Sequence, residues 1–390
     1  MAISDNYAIY LHIPFCATKC TYCAFNTYVD METLIPAFVD ALYKEIQCVA
    51  QNAPEFSVHT LYFGGGTPSL LTPSQFEVIL DALFSNFNIN SNAEISLEAN
   101  PNDLNYPYLK NLRELGFNRL SIGMQSAVDR DLRLFERRHD TQMVDAAVSA
   151  ARQAGFDNLN LDLIYGIPYQ SLDDWRTTLQ HALSLSPEHL SLYALTLEGG
   201  TPLKDAVDTH KVPQPDDDLA ADMYELAVEM LAEAGLEQYE ISNWAKPGYQ
   251  SRHNLQYWYN KPYLGLGPGA HGFAGQIRYS GLLSPQKYIA KLQQATSNDL
   301  PFPRTPATAR AVTVNRETEI SETLMMSLRL TQEGVNRAMF HERFGVDLLN
   351  LHGQTVERFV QLGLLEVTSE YVRLTPQGRL LSNMVLREFV

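Results

Sequence analysis

Six short β-type segments alternate with segments of helical periodicity over the first half of the chain. The apolar, β-rich segments cover residues 7–13, 59–66, 93–100, 118–126, 159–166 and 189–196. Between them, apolar residues recur every three or four positions, which indicates amphipathic helices. Because parallel strands need a long crossover, usually a helix, this alternation predicts a parallel sheet of β/α units. Six units are too few for a closed eight-fold barrel, so we predict an α/β fold with a partial (β/α)6-type barrel.

Polar and glycine residues collect where the predicted strands end. The second strand ends in residues 64–67, the third in Glu98 and Asn100, the fourth in Gln125, and the fifth contains Asp162 near its end. Functional residues of β/α barrels lie at the carboxyl ends of the strands. The sequence therefore predicts a functional site at that end of the barrel.

The chain changes character after residue 235, which predicts further domains. Residues 1–235 form the predicted barrel, and residues 236–300 are a Gly-, Tyr- and Trp-rich extension that we expect to complete the core. Residues 301–316 contain three prolines and are predicted to be a linker. Residues 317–390 read as three helices, two strands and a closing helix, the outline of a mostly α, winged-helix-like domain. This segment has 7 Arg, no Lys and 10 acidic residues, so we interpret it as a packing module rather than a DNA-binding one.

The overall composition excludes several classes of protein. A net charge of −16 argues against nucleic acid as a partner, because binding it depends on neutralising phosphates. The sequence contains no run of about 18 apolar residues, so no membrane span is predicted. The N-terminal sequence also lacks the features of a signal peptide. Four cysteines in 390 residues are too few for a disulfide framework. We therefore predict a cytoplasmic protein whose clustered thiols serve metal or redox chemistry.

The segment FCATKCTYCAFN places three cysteines, Cys16, Cys20 and Cys23, within eight residues. Three thiolates can hold three irons of an iron–sulfur cubane and leave the fourth iron free to chelate an amine and a carboxylate. Two alternatives stay open on spacing alone. One is a zinc site completed by a distant His or by Cys48, and the other is that the thiols bind no metal. Cys48 lies in an amphipathic helix, where we predict a core position.

A second motif, FGGGTP at residues 63–68, follows the next predicted strand. Three consecutive glycines carry no Cβ, so the backbone can approach a ligand closely. By itself the motif is explained equally well by a tight turn. The cysteine loop and the glycine stretch follow sequential strands of one predicted barrel, so together they indicate a single ligand site.

The segments YLHIPFCATKCTYCAFN, FGGGTPSLL, SLEANP, RLSIGMQS, NLDLIYGIP and GLGPGAHGF make the chain resemble the radical S-adenosylmethionine (SAM) superfamily. Within it, the chain is similar to oxygen-independent coproporphyrinogen III oxidases and to haem chaperones of the HemW type. The resemblance implies a [4Fe–4S] cluster held by Cys16, Cys20 and Cys23, with SAM at the fourth iron. It also implies an electron donor that reduces the cluster, so that SAM can be cleaved to methionine and a 5′-deoxyadenosyl radical.

The same resemblance implies a set of SAM contacts. The glycine stretch would receive the methionine amino group, the polar side chains would contact the methionyl and ribosyl parts, and a small residue would leave room for adenine. The implied residues are Tyr10, Tyr22, Gly65, Gly66, Thr67, Glu98, Gln125, Arg137, Asp162 and Ala194. Considered without the family, each tyrosine is equally well a core residue, and Arg137 could belong to a solvated helix end.

Two features separate the chain from the coproporphyrinogen oxidases it resembles. Phe25 stands where those enzymes carry a further cysteine, and only nine residues precede Tyr10, where they have a long extension. These differences weigh against oxidation of coproporphyrinogen, and they leave open whether the chain is an enzyme.

The segment RHNLQYWYN contains the pattern HNxxYW, which the resemblance associates with haem in the HemW type. Imidazole is a common axial ligand of haem iron, and aromatic rings can stack on a macrocycle. The implied haem-binding residues are His253, Asn254, Tyr257 and Trp258. The alternatives are that His253 is hydrogen-bonded inside an aromatic turn, or that His271 serves as the ligand.

We therefore predict a radical-SAM-type haem chaperone that binds haem, a [4Fe–4S] cluster and SAM. It would pass haem to an acceptor haem protein, such as a subunit of the respiratory membrane, and contact the inner membrane peripherally during delivery. The first alternative is an enzyme similar to coproporphyrinogen III oxidase that acts on a tetrapyrrole. The second is a zinc-stabilised scaffold.

Overall fold

The computed structural model describes residues 6–389 and confirms the α/β fold. Six parallel strands lie side by side in chain order, with the bounds β1 Asn6–Ile13, β2 Ser57–Gly65, β3 Asn88–Ala99, β4 Arg119–Gln125, β5 Leu159–Tyr165 and β6 His189–Ala194. Each of them overlaps one of the six predicted β segments. The strands are rich in apolar residues on the side that faces the helices, which is why each forms a buried strand of a parallel sheet.

Helices follow each of the first five strands and cover the outer face of the sheet. Their bounds are α1 Ile35–Gln51, α2 Pro73–Asn86, α3 Tyr106–Glu114, α4 Asp129–Leu134, α5 Thr141–Gln153 and α6 Leu172–Ser184. Each of the longer helices buries an apolar stripe in one continuous core with the strands. Cys48 lies in the buried stripe of α1, so its predicted core position is confirmed.

Residues beyond the sixth unit extend the sheet at both edges. The elements are α7 Pro202–Asp208, α8 Asp217–Glu233, β7 Glu237–Glu240, β8 Asn243–Ala245, α9 Arg252–Trp258, β9 Tyr263–Leu266, β10 His271–Ala274, β11 Ile277–Gly281, α10 Pro285–Gln294 and β12 Thr308–Thr313. Strand β8 pairs with β6, and β9 pairs with β1, which gives a twelve-stranded sheet in the order β12-β11-β10-β9-β1-β2-β3-β4-β5-β6-β8-β7. The barrel therefore stays open, as predicted.

The segment predicted as a linker, 301–316, differs from the expectation. Its second half forms β12, which pairs antiparallel with β11 at the edge of the sheet. The prolines at 301, 303 and 306 all precede this strand, so they do not interrupt its hydrogen bonding.

The C-terminal residues form a second core with the predicted winged-helix outline. Three helices precede two paired strands, a third short strand between the first two helices joins the same sheet, and two short helices close the chain. The bounds are α11 Arg316–Ser327, β13 Val335–Asn336, α12 Arg337–Phe344, α13 Leu348–Gln361, β14 Leu365–Val367, β15 Tyr371–Leu374, α14 Pro376–Leu380 and α15 Ser382–Leu386. A separate apolar cluster, which includes Leu324, Phe359 and Val372, fills this part.

The inside of the partial barrel is polar. Along β4, Leu120 and Ile122 pack in the core, whereas the alternate residues Ser121, Gly123 and Gln125 line a cavity. Strands β5 and β6 alternate in the same way, since successive strand residues point to opposite faces. The barrel therefore holds an internal cavity instead of the layers of branched apolar side chains that fill a closed β/α barrel.

Candidate cluster and cofactor site

The internal cavity has a volume of about 430 Å³ and opens beside the cysteine loop. At its mouth lie the three cysteines and Phe25, and at its floor lie Arg119 and His189, the first residues of β4 and β6. A volume of this size is within the range of small-molecule sites. The cavity is lined by the carboxyl ends of the strands and by their inward-facing polar residues.

The cysteine loop between β1 and α1 is fixed by backbone and hydroxyl hydrogen bonds. The amide of Cys16 donates to the Tyr28 carbonyl at 2.9 Å, and the Thr21 hydroxyl donates to the Leu134 carbonyl at 2.7 Å. The loop is therefore tied to itself and to the segment that follows β4.

Two of the sulfurs accept hydrogen bonds from neighbouring side chains. Thr67 Oγ1 lies 3.5 Å from Cys16 Sγ, and Arg137 Nη1 lies 3.5 Å from Cys20 Sγ. Hydrogen bonds to the sulfurs are one of the means by which proteins set the potential of an iron–sulfur cluster. Thr67 and Arg137 are therefore placed to tune a cluster on these thiols.

Burial raises the pKa of the Cys16 and Cys23 thiols, and the neighbouring cysteines raise both further. Both are protonated near neutral pH in the absence of metal, and metal binding would release the protons. Among residues 6–389, no three Cys, His, Asp or Glu side chains are close enough to share a single metal ion. A cubane has a different geometry, because each thiolate binds its own iron.

The glycine stretch after β2 packs directly against the cysteine loop. The amide of Gly66 donates to the Ile13 carbonyl at 2.7 Å, and the amide of Thr67 donates to the Phe15 carbonyl at 2.7 Å. A Cβ on Gly66 would lie 2.6 Å from the Phe15 oxygen, so a larger residue does not fit. The glycines thus bring the ends of β1 and β2 together at the mouth of the cavity.

Two partly buried carboxyl groups face the cavity below this level. Glu98 accepts hydrogen bonds from the Tyr62 hydroxyl at 2.9 Å and from the Gly65 amide at 3.0 Å. Asp162 accepts one from the Ser121 hydroxyl at 2.8 Å. Burial, reinforced by the charge of Asp162, raises the pKa of Glu98 to about 7, and burial also raises the pKa of Asp162. A cationic ligand would relieve the cost of ionising both groups.

All but one of the residues predicted for the cluster and SAM line this cavity. They are Cys16, Cys20, Cys23, Tyr22, Gly65, Gly66, Thr67, Glu98, Gln125, Arg137, Asp162 and Ala194. Tyr10 lies behind the wall, where its hydroxyl is 3.0 Å from His12 Nδ1 and its ring is 6.2 Å from that of Tyr62. Arg137 is partly buried and donates to Asn100 Oδ1 at 2.6 Å, so it does not belong to a solvated helix end.

The structure does not gather the HNxxYW side chains on one face of α9. His253 is 1% exposed, and its ring nitrogens are hydrogen-bonded to the Thr60 hydroxyl and the Tyr257 hydroxyl, each at 2.8 Å. Burial lowers the pKa of His253 to about 3, so the ring is neutral. Asn254 lines the floor of the cavity. To coordinate iron, His253 would have to give up one of its two hydrogen bonds.

Trp258 points towards the C-terminal part of the chain instead. The Ser327 hydroxyl donates to its carbonyl at 2.9 Å, and the Arg329 guanidinium lies 5.7 Å from its ring centroid. The histidine end of α9 therefore contacts the barrel, and its tryptophan end contacts α11. His271, the second predicted ligand, is exposed at the start of β10.

Several cavity residues were not predicted from the sequence. They are the inward-facing Tyr62, Ser121, Asn160, Ser191 and Tyr193. The signal that could have found them is a polar residue at every second position of a strand whose other positions are Leu or Ile. In a β/α barrel with an apolar interior, these positions would be branched apolar residues.

Comparison with known proteins identifies this arrangement. Residues 10–182 match the radical SAM superfamily, and residues 314–381 match the HemN C-terminal domain. The solved structure of coproporphyrinogen III oxidase (HemN) from Escherichia coli superposes with a TM-score of 0.84 and 24% identity, covering 98% of this chain and 89% of that one. The fold and the site thus define a radical SAM protein with a HemN-type C-terminal domain.

Full-length relatives specify the family further. The haem chaperone HemW of Mycobacterium tuberculosis is 36% identical over 98% of this chain and 94% of its own. That of Bacillus subtilis is 35% identical over 98% of both chains. The chain belongs to the HemW family of radical SAM proteins, as its motifs predicted. Proteins of this superfamily use a [4Fe–4S] cluster and SAM. In residues 6–389, no helix is both long and apolar enough to cross a membrane.

Proposed function

We propose that this protein is a haem chaperone that carries a [4Fe–4S] cluster and SAM in the barrel cavity. Cys16, Cys20 and Cys23 would hold the cluster. The observation that carries the proposal is that these cysteines, the glycine stretch and the carboxyl groups of Glu98 and Asp162 line one cavity. When bound, the cluster would supply an electron to SAM.

The residues of the chain fit SAM by charge and shape. SAM carries a permanent positive charge on its sulfonium, and Glu98 and Asp162 offer two carboxylates to this charge. Gly65, Gly66 and Thr67 present backbone with little side-chain bulk beside the cluster loop. Ala194 leaves space at the end of β6 for a flat ring.

The other predicted contacts would take the remaining polar parts of SAM. Gln125 and Arg137 face the cavity at the end of β4 and beyond it. Tyr22 lies in the wall with its ring 4.5 Å from that of Phe135, and Tyr10 supports the wall from behind. Together these side chains would orient SAM and exclude water from its sulfonium.

Two observations support haem as the ligand. The relatives are named haem chaperones, and Phe25 stands where the coproporphyrinogen oxidases carry a further cysteine. His253 is the candidate iron ligand that the sequence offers, with Asn254, Tyr257 and Trp258 close to it along the chain. One of its hydrogen bonds, to Thr60 or to Tyr257, must break for this role. The acceptor we propose is a haem protein of the respiratory membrane, which the chaperone would reach from the cytoplasm.

The proposal is tested by haem binding, transfer and turnover under oxygen-free conditions. The cluster-loaded protein is titrated with haem, mixed with an apo-haem protein, and separately incubated with coproporphyrinogen III, SAM and reductant. We expect saturable haem binding, transfer to the acceptor and no protoporphyrinogen. The intact cavity also suits an enzyme acting on a tetrapyrrole, and accumulation of protoporphyrinogen would establish that function in place of the chaperone. Absence of haem binding would refute the chaperone proposal directly.

A further inference from the structure

We propose that haem docks at the mouth of the barrel cavity, with its macrocycle on the ring of Phe25 and its propionates towards Lys19 and Arg138. This inference rests on the proposed haem chaperone function and adds the place where haem binds. All three side chains line the same cavity as the cluster cysteines.

Phe25 is the first reason for this placement. Its side chain is 70% exposed, and it follows directly on the cysteine loop. Aromatic rings bury a large apolar area and stack on flat π-systems. An exposed phenylalanine at the entrance to a cavity therefore provides a surface that a porphyrin face can cover.

The backbone that carries this ring is also held in place before any ligand arrives. Its own carbonyl accepts a hydrogen bond from the Thr27 amide at 2.8 Å, and the neighbouring Asn26 side chain donates to the carbonyls of Pro268 and Leu283 at 2.9 and 3.0 Å. Cluster binding by Cys23 would fix the other side. A ligand that stacks on Phe25 therefore loses little free energy in ordering the loop.

Further apolar surface continues around the mouth. Ala24 and Leu195 line the cavity as well, and Tyr193, 44% exposed, presents its ring from the end of β6. These side chains come from the two sides of the opening, the cysteine loop and the last barrel strand. A flat apolar molecule at the mouth can thus contact both.

The charges at the mouth specify an anionic edge on that molecule. Lys19 lies within the cysteine loop, and Arg138 follows β4 with only a 3.8 Å contact to Asp103. These two cations stand out on a chain with 45 acidic and 29 basic residues. Glu198 lines the cavity as well and would repel carboxylates, so the propionates point away from it.

Binding of haem beside His253, the alternative site, would require the fold to open. His253 is 1% exposed and makes two hydrogen bonds inside the protein. Phe25, by contrast, is accessible in the structure as it stands. The geometry therefore favours the mouth over the HNxxYW helix.

Anaerobic titration of the cluster-loaded full-length protein with iron protoporphyrin IX tests the Phe25 contact. We expect Phe25→Ala to weaken haem binding by about tenfold or more, because it removes the stacking surface. Phe84→Ala is the matched control, since Phe84 is a 50% exposed phenylalanine on α2 that does not line the cavity. It should bind haem like the unchanged protein. His253→Ala is titrated in the same way to test the alternative site on α9. Iron content is measured for each variant, so that loss of the cluster is recognised.

The dimethyl ester of haem tests the charged contacts. Lys19→Gln combined with Arg138→Gln should weaken binding of haem and leave binding of the ester unchanged. Arg133→Gln, on the exposed surface of α4, is the control and should change neither.

The outcomes separate this inference from the function on which it rests. Equal haem affinity of Phe25→Ala and Phe84→Ala, or loss of binding in His253→Ala alone, would overturn docking at the mouth and leave the chaperone proposal standing. No haem binding by the unchanged protein would refute the chaperone function itself.

Discussion

The side-chain amide of Asn26 donates to the backbone carbonyl of Pro268 at 2.9 Å, which joins the cysteine loop to a segment 242 residues away. The same amide donates to the Leu283 carbonyl at 3.0 Å, and the Asn26 carbonyl lies 3.0 Å from His12 Nε2. A Cβ on Gly269 would lie 2.4 Å from Asn26 Nδ2, so the glycine is needed for this approach. The GLGPGAHGF segment therefore holds one end of the cluster loop in position.

Replacing Asn26 with Asp should loosen the cluster without changing the size of the side chain. The carboxylate cannot donate to the two carbonyls and would face them with negative charge. We expect iron to leave the reconstituted protein about tenfold faster, the order that follows from losing two hydrogen bonds at a partly buried site. The measurement is iron release to a ferrous chelator under nitrogen.

Asn52→Asp is the matched control for this experiment. The Asn52 amide also donates to two distant carbonyls, of Asn298 and Leu300, at 2.7 and 2.9 Å, and it lies away from the cavity. It should release iron at the rate of the unchanged protein. If both variants release iron equally fast, the Asn26 contact has no special part in holding the cluster.

Each of the three loop cysteines should be required for the cluster. Alanine at position 16, 20 or 23 removes a thiolate from the cavity mouth, so we expect iron and sulfide to fall to background after reconstitution. Cys48→Ala should keep the full cluster, because Cys48 is buried in α1 and does not line the cavity. Iron and sulfide analysis decides the matter, and loss of iron in Cys48→Ala would show that the ligand set is different.

The barrel could be predicted from the sequence because its signals are local. Each of β1 to β6 is a short apolar run bounded by turn residues, and each intervening helix has its own periodicity. The same local logic placed Glu98 and Gln125 at one end of the sheet, since parallel strands end on the same side. Asp162 was predicted there too, but it lies midway along β5 and faces the cavity from that position. Strand β12 was missed because the prolines before it dominate the composition of its segment.

The contact of His253 with Tyr257 agrees with the alternative that His253 is hydrogen-bonded inside an aromatic turn, but its second partner could not be predicted. Thr60 lies 193 residues away, and nothing in the pattern HNxxYW indicates that contact. The polar cavity was only partly predicted for a related reason. In the sequence, Ser121 and Ser191 look like ordinary polar strand residues, because only the curvature of the sheet shows that they face the cavity.

Affinity for SAM should rise with pH through the titration of Glu98. Burial first, and Asp162 second, raise the pKa of Glu98 from 4.5 to about 7 in the ligand-free fold. Because Glu98 holds its proton more tightly in the ligand-free fold than in the unfolded chain, the free energy of unfolding falls as the pH rises from about 4.5 to about 7. A cationic ligand binds the ionised form better, so SAM should bind roughly tenfold more tightly near pH 8 than near pH 6. Equilibrium dialysis of SAM at several pH values measures this.

Two glutamine variants isolate the contribution of Glu98. Glu98→Gln should lose this part of the pH dependence, leaving only the titration of SAM itself. Glu240→Gln should keep it, because burial raises the pKa of Glu240 to about 7 as well but Glu240 does not line the cavity. Identical pH profiles for the two variants would mean that Glu98 does not face the bound cation.

Alanine at Gly65 should destabilise the fold more than alanine at a comparable glycine elsewhere. Gly65 has φ +112°, and a Cβ there would lie 2.5 Å from the His12 ring, which is itself fixed to Asn26. We expect Gly65→Ala to lower the free energy of unfolding by about 3 kcal/mol. Gly155 has φ +88°, and nothing lies within 4 Å of a Cβ there. Gly155→Ala should therefore lower the free energy of unfolding through backbone strain alone, by about 1 kcal/mol. Urea unfolding of the cofactor-free protein compares the two. Equal losses would show that the contact between the glycine stretch and His12 relaxes without cost.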